Sequence, residues 1–318
     1  MSAGADPASA VAWTAAAPQL VMAYSVCRGI TRTAAKNFYY AFLLLPRRKR
    51  ESLCAVYAFM RRCDDITDDP ALTLPERRRK LDLWLNSLHR AQQNCPTDDP
   101  ILLALTDTQR RYQISAGLLD ELAQGTAMDI QEAPLDEAED EPLFALRPSL
   151  IRYGTFEDLR LYCYRVASVV GRVCIHIFGY RDPQAEDLAE RCGLAFQLTN
   201  IIRDVKEDAQ LGRIYLPEED LVKFGLSPDD LLGTPSLAHF RPLLSYEADR
   251  AREYYRSGDE LIPFIAEDSR PALWVLINIY RRLLEKIAER QYDVFTSRIS
   301  LTVPEKLRIL AKGLWQRV

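Results

Sequence analysis

Two short runs in this 318-residue chain place carboxylates at helical spacing. The first is Tyr57-Ala-Phe-Met-Arg-Arg-Cys-Asp-Asp-Ile-Thr-Asp-Asp-Pro70. On a helix, Asp64 and Asp68 share a face with Arg61 and Tyr57, three and seven residues before Asp64. Like charges at this spacing repel by about 0.2–0.5 kcal/mol per pair. Four aspartates ahead of Pro70 therefore either attract a counter-charge or form a frayed, solvated helix end. The second run is Gly193-Leu-Ala-Phe-Gln-Leu-Thr-Asn-Ile-Ile-Arg-Asp-Val-Lys-Glu-Asp208. Here Gln197, Asn200, Asp204 and Asp208 fall within an arc of about 80°. An apolar stripe of Leu194, Leu198, Ile201 and Val205 runs directly beside it. Polar groups that border a core need partners. Carboxylates with one amide suit a hard cation such as Mg²⁺, and a plain surface stripe is the alternative.

If the two stripes face each other across a helical bundle, they can hold several Mg²⁺ ions and, through them, the phosphates of a substrate. Arg61 and Arg203 would complete a diphosphate clamp through charge-assisted hydrogen bonds. The common rival devices are missing. No Gly-x-x-x-x-Gly-Lys or Gly-x-Gly-x-x-Gly loop occurs. Gly-x-Ser-x-Gly is also absent, and His89, His176 and His239 belong to no motif. A third run, Tyr162-Cys-Tyr-Arg-Val-Ala-Ser-Val-Val-Gly171, carries the small residues Ala167, Ser168 and Gly171, which allow a helix or an apolar ligand to approach closely. Tyr162 and Tyr164 fall on different sides of that helix. A buried tyrosine beside an ionising diphosphate can move a proton, and the alternative is that both simply pack.

The elements that position these runs are helical. Leu43, Leu53, Val56 and Met60, then Leu81, Trp84, Leu85 and Leu88, then Leu273, Leu276, Ile277, Tyr280, Leu283 and Leu284 recur at helical intervals. Prolines punctuate the runs, and alternating strand patterns with Asn-Gly or Asp-Gly turns are absent. The pattern predicts about ten helices in an all-α, single-domain bundle, with residues 1–17 as a loose extension and 18–318 as the folded domain. Residues 131–149, with six acidic side chains and three prolines, read as a solvated loop or a lid.

Composition is that of an ordinary globule: 48% hydrophobic, 27% charged, net charge -4 and pI near 5.6. That excludes the basic signature of a nucleic-acid binder. Seven scattered cysteines without Cys-x-x-Cys fit a reducing compartment rather than a disulfide or zinc framework. The uncharged stretch from Asp6 to Arg28 lacks the basic start of a secretory signal. No stretch approaches ~18 uninterrupted apolar residues, so a spanning helix is not expected and the cytoplasm is the default location.

Taken together, these motifs resemble the squalene/phytoene synthase family of head-to-head prenyl synthases, over residues from about Tyr24 to Arg298. The resemblance rests on Asp64-Asp-Ile-Thr-Asp68, Tyr162 to Gly171, Gln197 to Asp208 and Gly212-Arg-Ile-Tyr-Leu-Pro217, in family order. It implies an all-α isoprenoid-synthase bundle with a central cavity, in which two allylic diphosphates are joined through a cyclopropyl diphosphate. It implies that Asp64, Asp68, Asn200, Asp204 and Asp208 ligate two or three Mg²⁺ ions. Tyr57, Arg61, Gln197 and Arg203 would contact the diphosphates, with Tyr280 and Arg298 as further contacts. Tyr162 matches the tyrosine assigned to proton handling. Lys36, Asn37, Phe38 and Phe42 match a substrate-binding stretch, although Ala34 and Asn37 stand where other members carry His and Ser.

The wording of the Ala34-to-Tyr40 and Val166-to-Gly171 runs looks closer to bacterial farnesyl-coupling members of hopanoid pathways than to plant phytoene synthases. The expected product is therefore presqualene diphosphate, or squalene if NADPH also serves; phytoene from two geranylgeranyl diphosphates is the alternative. A greasy product also suggests peripheral contact with the inner face of the membrane. Two rivals remain at this point. One is a terpene cyclase or head-to-tail prenyltransferase, which should lack the Tyr162-to-Gly171 motif. The other is an inactive helical scaffold, which should have lost one aspartate pair.

Overall fold

The computed structural model describes residues 7–35, 38–127, 151–233 and 235–315, with side chains from residue 18 onward except at 126 and 127. The acidic segment 131–149, Lys36 and Asn37 lie outside the described residues. Fourteen α-helices are present among those described: α1 (Pro7–Ala34), α2 (Phe38–Phe42), α3 (Arg47–Thr67), α4 (Leu74–Gln92), α5 (Pro100–Tyr112), α6 (Ala116–Ala127), α7 (Phe156–Cys163), α8 (Val169–Phe178), α9 (Gln184–Gln210), α10 (Glu218–Lys223), α11 (Pro228–Leu232), α12 (Leu237–Leu261), α13 (Arg270–Glu289) and α14 (Val303–Trp315). The all-α class holds. Most of the excess over ten comes from α2, α10 and α11, which at five or six residues are too short to show a period. Helix α1 begins at Pro7 and carries Pro18 within it, where the sequence suggested a loose extension ahead of residue 18.

Local chemistry sets the helix starts. Thr73 with Glu76 and Thr155 with Asp158 form capping boxes at α4 and α7. The Asp99 carboxylate accepts from the amides of Ile101 and Leu102 at the start of α5. Helix α9 packs along α12, while α1 lies against α3 and α5. Between α7 and α8 the chain makes one π-turn, Tyr164–Ser168, a feature found often at functional sites. Within the continuous rod Phe156–Phe178 an 18-residue stretch reaches mean hydropathy 1.3, so the rod is long and apolar enough by composition to cross a membrane. Arg160, Arg165 and Arg172 interrupt it in sequence. In the fold it is a wall helix, packed through its π-turn against α6 and α9.

Glycine permits that packing. A Cβ on Gly193 of α9 would lie 2.8 Å from the Ala167 carbonyl oxygen, and one on Gly171 of α8 would lie 2.7 Å from that of Ala189. Ala167, Ser168 and Gly171 thus do what their size suggested, letting α8 and the π-turn meet α9 backbone to backbone.

Among the described residues the strands are two dipeptides. β1 (Ile151–Arg152) pairs in parallel with β2 (Arg213–Ile214), which follows α9 through Gly212 at φ +76°. This small clasp fixes where the chain leaves α9, and so places Arg213 and Tyr215.

Candidate active site

Helices α3 and α9 face each other across a cavity of about 1150 Å³, counting its open mouth. Its walls come from α2, α3, the π-turn with α8, α9 and α13, and Leu261 of α12 adds to them. Leu53 to Asp64 on α3 and Ala189 to Asn200 on α9 each span eleven helical steps of wall. At the helical rise that is a depth of roughly 16 Å. Leu53 and Ala189 are fully buried, while Asp64 and Asn200 are half-buried. Both helices therefore run from floor to mouth and end in their aspartate motifs.

That direction has an electrostatic consequence. A helix C-terminus carries partial negative charge, and neither α3 nor α9 has a basic residue in its last turn. The carboxylates thus sit where the fold itself disfavours them, an arrangement that suits cation binding. Arginines supply part of the compensation. Arg61 reaches Asp65 at 2.6 Å, and Arg213 reaches Asp68 at 3.0 Å. Arg203 forks onto Asp204. Arg298 meets the same carboxylate with Nε 2.8 Å from Oδ1 and Nη2 3.0 Å from Oδ2. Burial raises the Asp204 pKa, but hydrogen bonds from Arg203 and Arg298 outweigh it and hold the carboxyl below the ordinary aspartate value. Arg298 is held in place through Lys206 of α9, whose ammonium donates to the Phe295 carbonyl at 2.5 Å, while the Phe295 ring packs edge-on against Phe240.

Tyr57, Arg61, Asp64, Gln197, Asn200 and Tyr280 all line the cavity, and the Asn200 amide donates to Gln197 Oε1 at 3.4 Å. Below them the wall is apolar and aromatic. Phe196 stacks on Tyr280 at 4.5 Å, and Phe38 lies 5.7 Å from Tyr280 and 6.3 Å from Phe42. Burial pushes the Tyr280 hydroxyl up to about 12 and raises that of Tyr57, so both stay neutral donors. Cys174 and Cys192 also line the wall. Burial raises each to about 12, which leaves them as inert thiols. None of the three histidines reaches the cavity.

Tyr162 stands behind this wall rather than on it. It is buried, with its hydroxyl 3.1 Å from that of Tyr215 and its ring 4.9 Å from the Tyr215 ring, in a stack completed by Tyr153. Tyr164 points the other way, to Glu121 and Arg172. Arg213 and Tyr215 are two residues apart in extended chain and so project to one side, which joins the tyrosine stack to the first aspartate motif. Neither residue stood out in the sequence, although the Gly212-to-Pro217 run that contains them did.

The donor set fits Mg²⁺ in chemistry, carboxylates and one amide oxygen; of the five expected donors, Asp64 and Asn200 line the cavity, whereas Asp68, Asp204 and Asp208 are not among its lining residues. Glu207, on the Asp204 side of α9, keeps a buried Oε2 without a hydrogen-bond partner, as expected where a cation completes the charge balance. Among the described residues no three His, Cys, Asp or Glu side chains converge closely enough to hold an ion on their own. Water and substrate phosphate oxygens would supply the rest of a Mg²⁺ coordination sphere.

An apolar helical chamber with two aspartate motifs and arginines at its mouth defines the class of prenyl synthases, enzymes that handle a greasy chain and a diphosphate together. The chain belongs to the squalene/phytoene synthase family, whose model matches residues 31–305. It is 36% identical over 299 residues to a 15-cis-phytoene synthase of Synechococcus elongatus, covering 90% of each chain. It is likewise 36% identical over 301 residues to a phytoene synthase of Mycobacterium tuberculosis, covering 93% of this chain and 92% of the relative. Among solved structures it resembles a dehydrosqualene synthase in complex with ligand: TM-score 0.80, 28% identity, 94% of this chain and 97% of that one. It also resembles the squalene synthase HpnC from Alicyclobacillus acidocaldarius: TM-score 0.74, 29% identity, 86% and 95%. The protein is a prenyltransferase that condenses prenyl diphosphates head to head, and its family is generally Mg²⁺-dependent.

Proposed function

We propose that this chain couples two farnesyl diphosphates to presqualene diphosphate, releasing one diphosphate and one proton. The observation that carries the reading is that Arg61, Asp64, Gln197 and Asn200 rim a single cavity whose depth is apolar and aromatic. Mg²⁺, held by Asp64, Asp68, Asn200, Asp204 and Asp208, would supply Lewis-acid stabilisation of the departing diphosphate. Arg61, Arg203 and Arg298 add charge-assisted hydrogen bonds to the same developing anion. The allylic cation left behind is shielded from water by the apolar wall, and the faces of Phe38, Phe196 and Tyr280 stabilise it. The Tyr162–Tyr215 hydroxyl pair, set behind the wall, is the candidate relay for the departing proton.

The farnesyl reading draws on the structural likeness to dehydrosqualene and squalene synthases and on the wording of the Ala34-to-Tyr40 run. A second reading, phytoene from two geranylgeranyl diphosphates, is favoured by the higher identity to relatives named phytoene synthase. Mass spectrometry of products decides, with each substrate offered separately, with Mg²⁺ and with or without NADPH. A C30 product from farnesyl diphosphate supports the first reading. Squalene appearing only with NADPH extends it to a reductive second step. A C40 product formed only from geranylgeranyl diphosphate replaces it with the second.

A further inference from the structure

Helix α14 turns an apolar face to solvent. Around its wheel, Glu305, Lys306, Ile309, Leu310 and Gly313 face the protein and are buried or half-buried. The opposite arc of about 120° holds Val303, Leu307, Ala311, Leu314 and Trp315, all exposed, with Trp315 at 92%. Arg308 and Lys312, both exposed, lie at the edge of that arc, and no acidic residue shares the exposed side. The one acid of the helix, Glu305, faces inward, where it binds Lys286 at 2.7 Å. The helix is fixed in this orientation by Glu305 and by Gly313, where an added Cβ would meet Val275 at 2.4 Å.

We propose that this face docks the protein on an anionic lipid surface. An amphipathic helix with a leucine and tryptophan face bordered by Arg and Lys is the chemistry of an interfacial membrane contact. A second copy of the chain is a poorer occupant, because a two-fold contact sets the same patch on itself and would bring two Arg308 and two Lys312 together with no acid between them. Position agrees. α14 packs on α13 and α2, and Phe38 and Phe42 of α2 line the cavity, so the docking face lies one helix layer from the chamber of a family whose substrates and products are apolar chains. Leu43, which directly follows α2, is also exposed.

Flotation of the purified protein with vesicles of phosphatidylcholine, and of phosphatidylcholine with phosphatidylglycerol, tests this independently of any product assay. Wild type floats with the phosphatidylglycerol vesicles, more weakly as salt rises, and less with phosphatidylcholine alone. Leu307→Asp with Leu314→Asp lowers the bound fraction at least about tenfold at unchanged thermal midpoint, since both positions are exposed. Arg308→Glu with Lys312→Glu removes the preference for anionic vesicles. Wild type that stays at the bottom of the gradient, or variants that float as wild type does, would overturn the proposal. So would light scattering that shows a wild-type dimer converted to monomer by the leucine changes.

Discussion

Arg213 Nη2 lies 3.0 Å from Asp68 Oδ1, joining residues 145 apart in the chain. Asp68 ends the first aspartate motif as the C-cap of α3, and Arg213 opens β2 just after the second motif. The pair therefore ties the two motifs together at the mouth. Asp68 is more than half exposed, so the bond contributes little to stability. Arg213→Ala is expected to leave the thermal midpoint nearly unchanged while lowering kcat/KM roughly 10–100-fold, because it removes a cation from the site of charge development. Parallel melting curves and steady-state kinetics check this.

Asp204 provides a pH signature. Its native carboxyl is held below the unfolded value by Arg203 and Arg298 against the opposing effect of burial. Its contribution to stability is therefore complete above about pH 3.9 and is lost as pH falls through the lower native value. Arg298→Ala weakens the hold, so the variant should be less stable than wild type near neutrality, converge on it in strong acid, and unfold at higher pH on acidification. An acid titration followed by circular dichroism reads the shift directly.

The tyrosine stack separates proton handling from packing. Tyr162→Phe and Tyr215→Phe break the same 3.1 Å bond, worth about 0.5–1.5 kcal/mol. If Tyr162 handles the proton, its loss lowers kcat about a hundredfold with KM little changed, and the Tyr215 variant loses less. Equal effects on kcat and stability in both variants would mark the pair as structural.

Gly193→Ala forces a Cβ against the Ala167 carbonyl at 2.8 Å and Ser168 Cα at 2.9 Å. Separating α9 from the π-turn should cost about 1–3 kcal/mol and lower activity in step, since Phe196, Gln197 and Asn200 follow on the same helix. Denaturant unfolding beside activity measurements tests that coupling.

The class of fold and both aspartate motifs were legible because they rest on local periodicity, which survives in one dimension. The same spacing that put Gln197 and Asn200 on one stripe puts them on one cavity wall. What escaped was tertiary. Arg213 to Asp68 and Tyr162 to Tyr215 depend on a two-residue strand pair that leaves no periodic trace. The double hold of Arg203 and Arg298 on Asp204 depends on a loop pinned by Lys206. Tyr162 had a motif to mark it, yet its place behind the wall follows from the π-turn that begins two residues later.

The central claim is that the two aspartate motifs act as one Mg²⁺-dependent diphosphate site. Calorimetric titration of inorganic diphosphate, with and without Mg²⁺, tests it on wild type, Asp64→Asn and Asp204→Asn, each also assayed for turnover. The expected result is binding by wild type only with Mg²⁺, and loss of that binding in both variants. Turnover should fall by at least about 10²–10³ with helicity intact. Metal-independent binding, or wild-type-like binding and turnover in either variant, would contradict it.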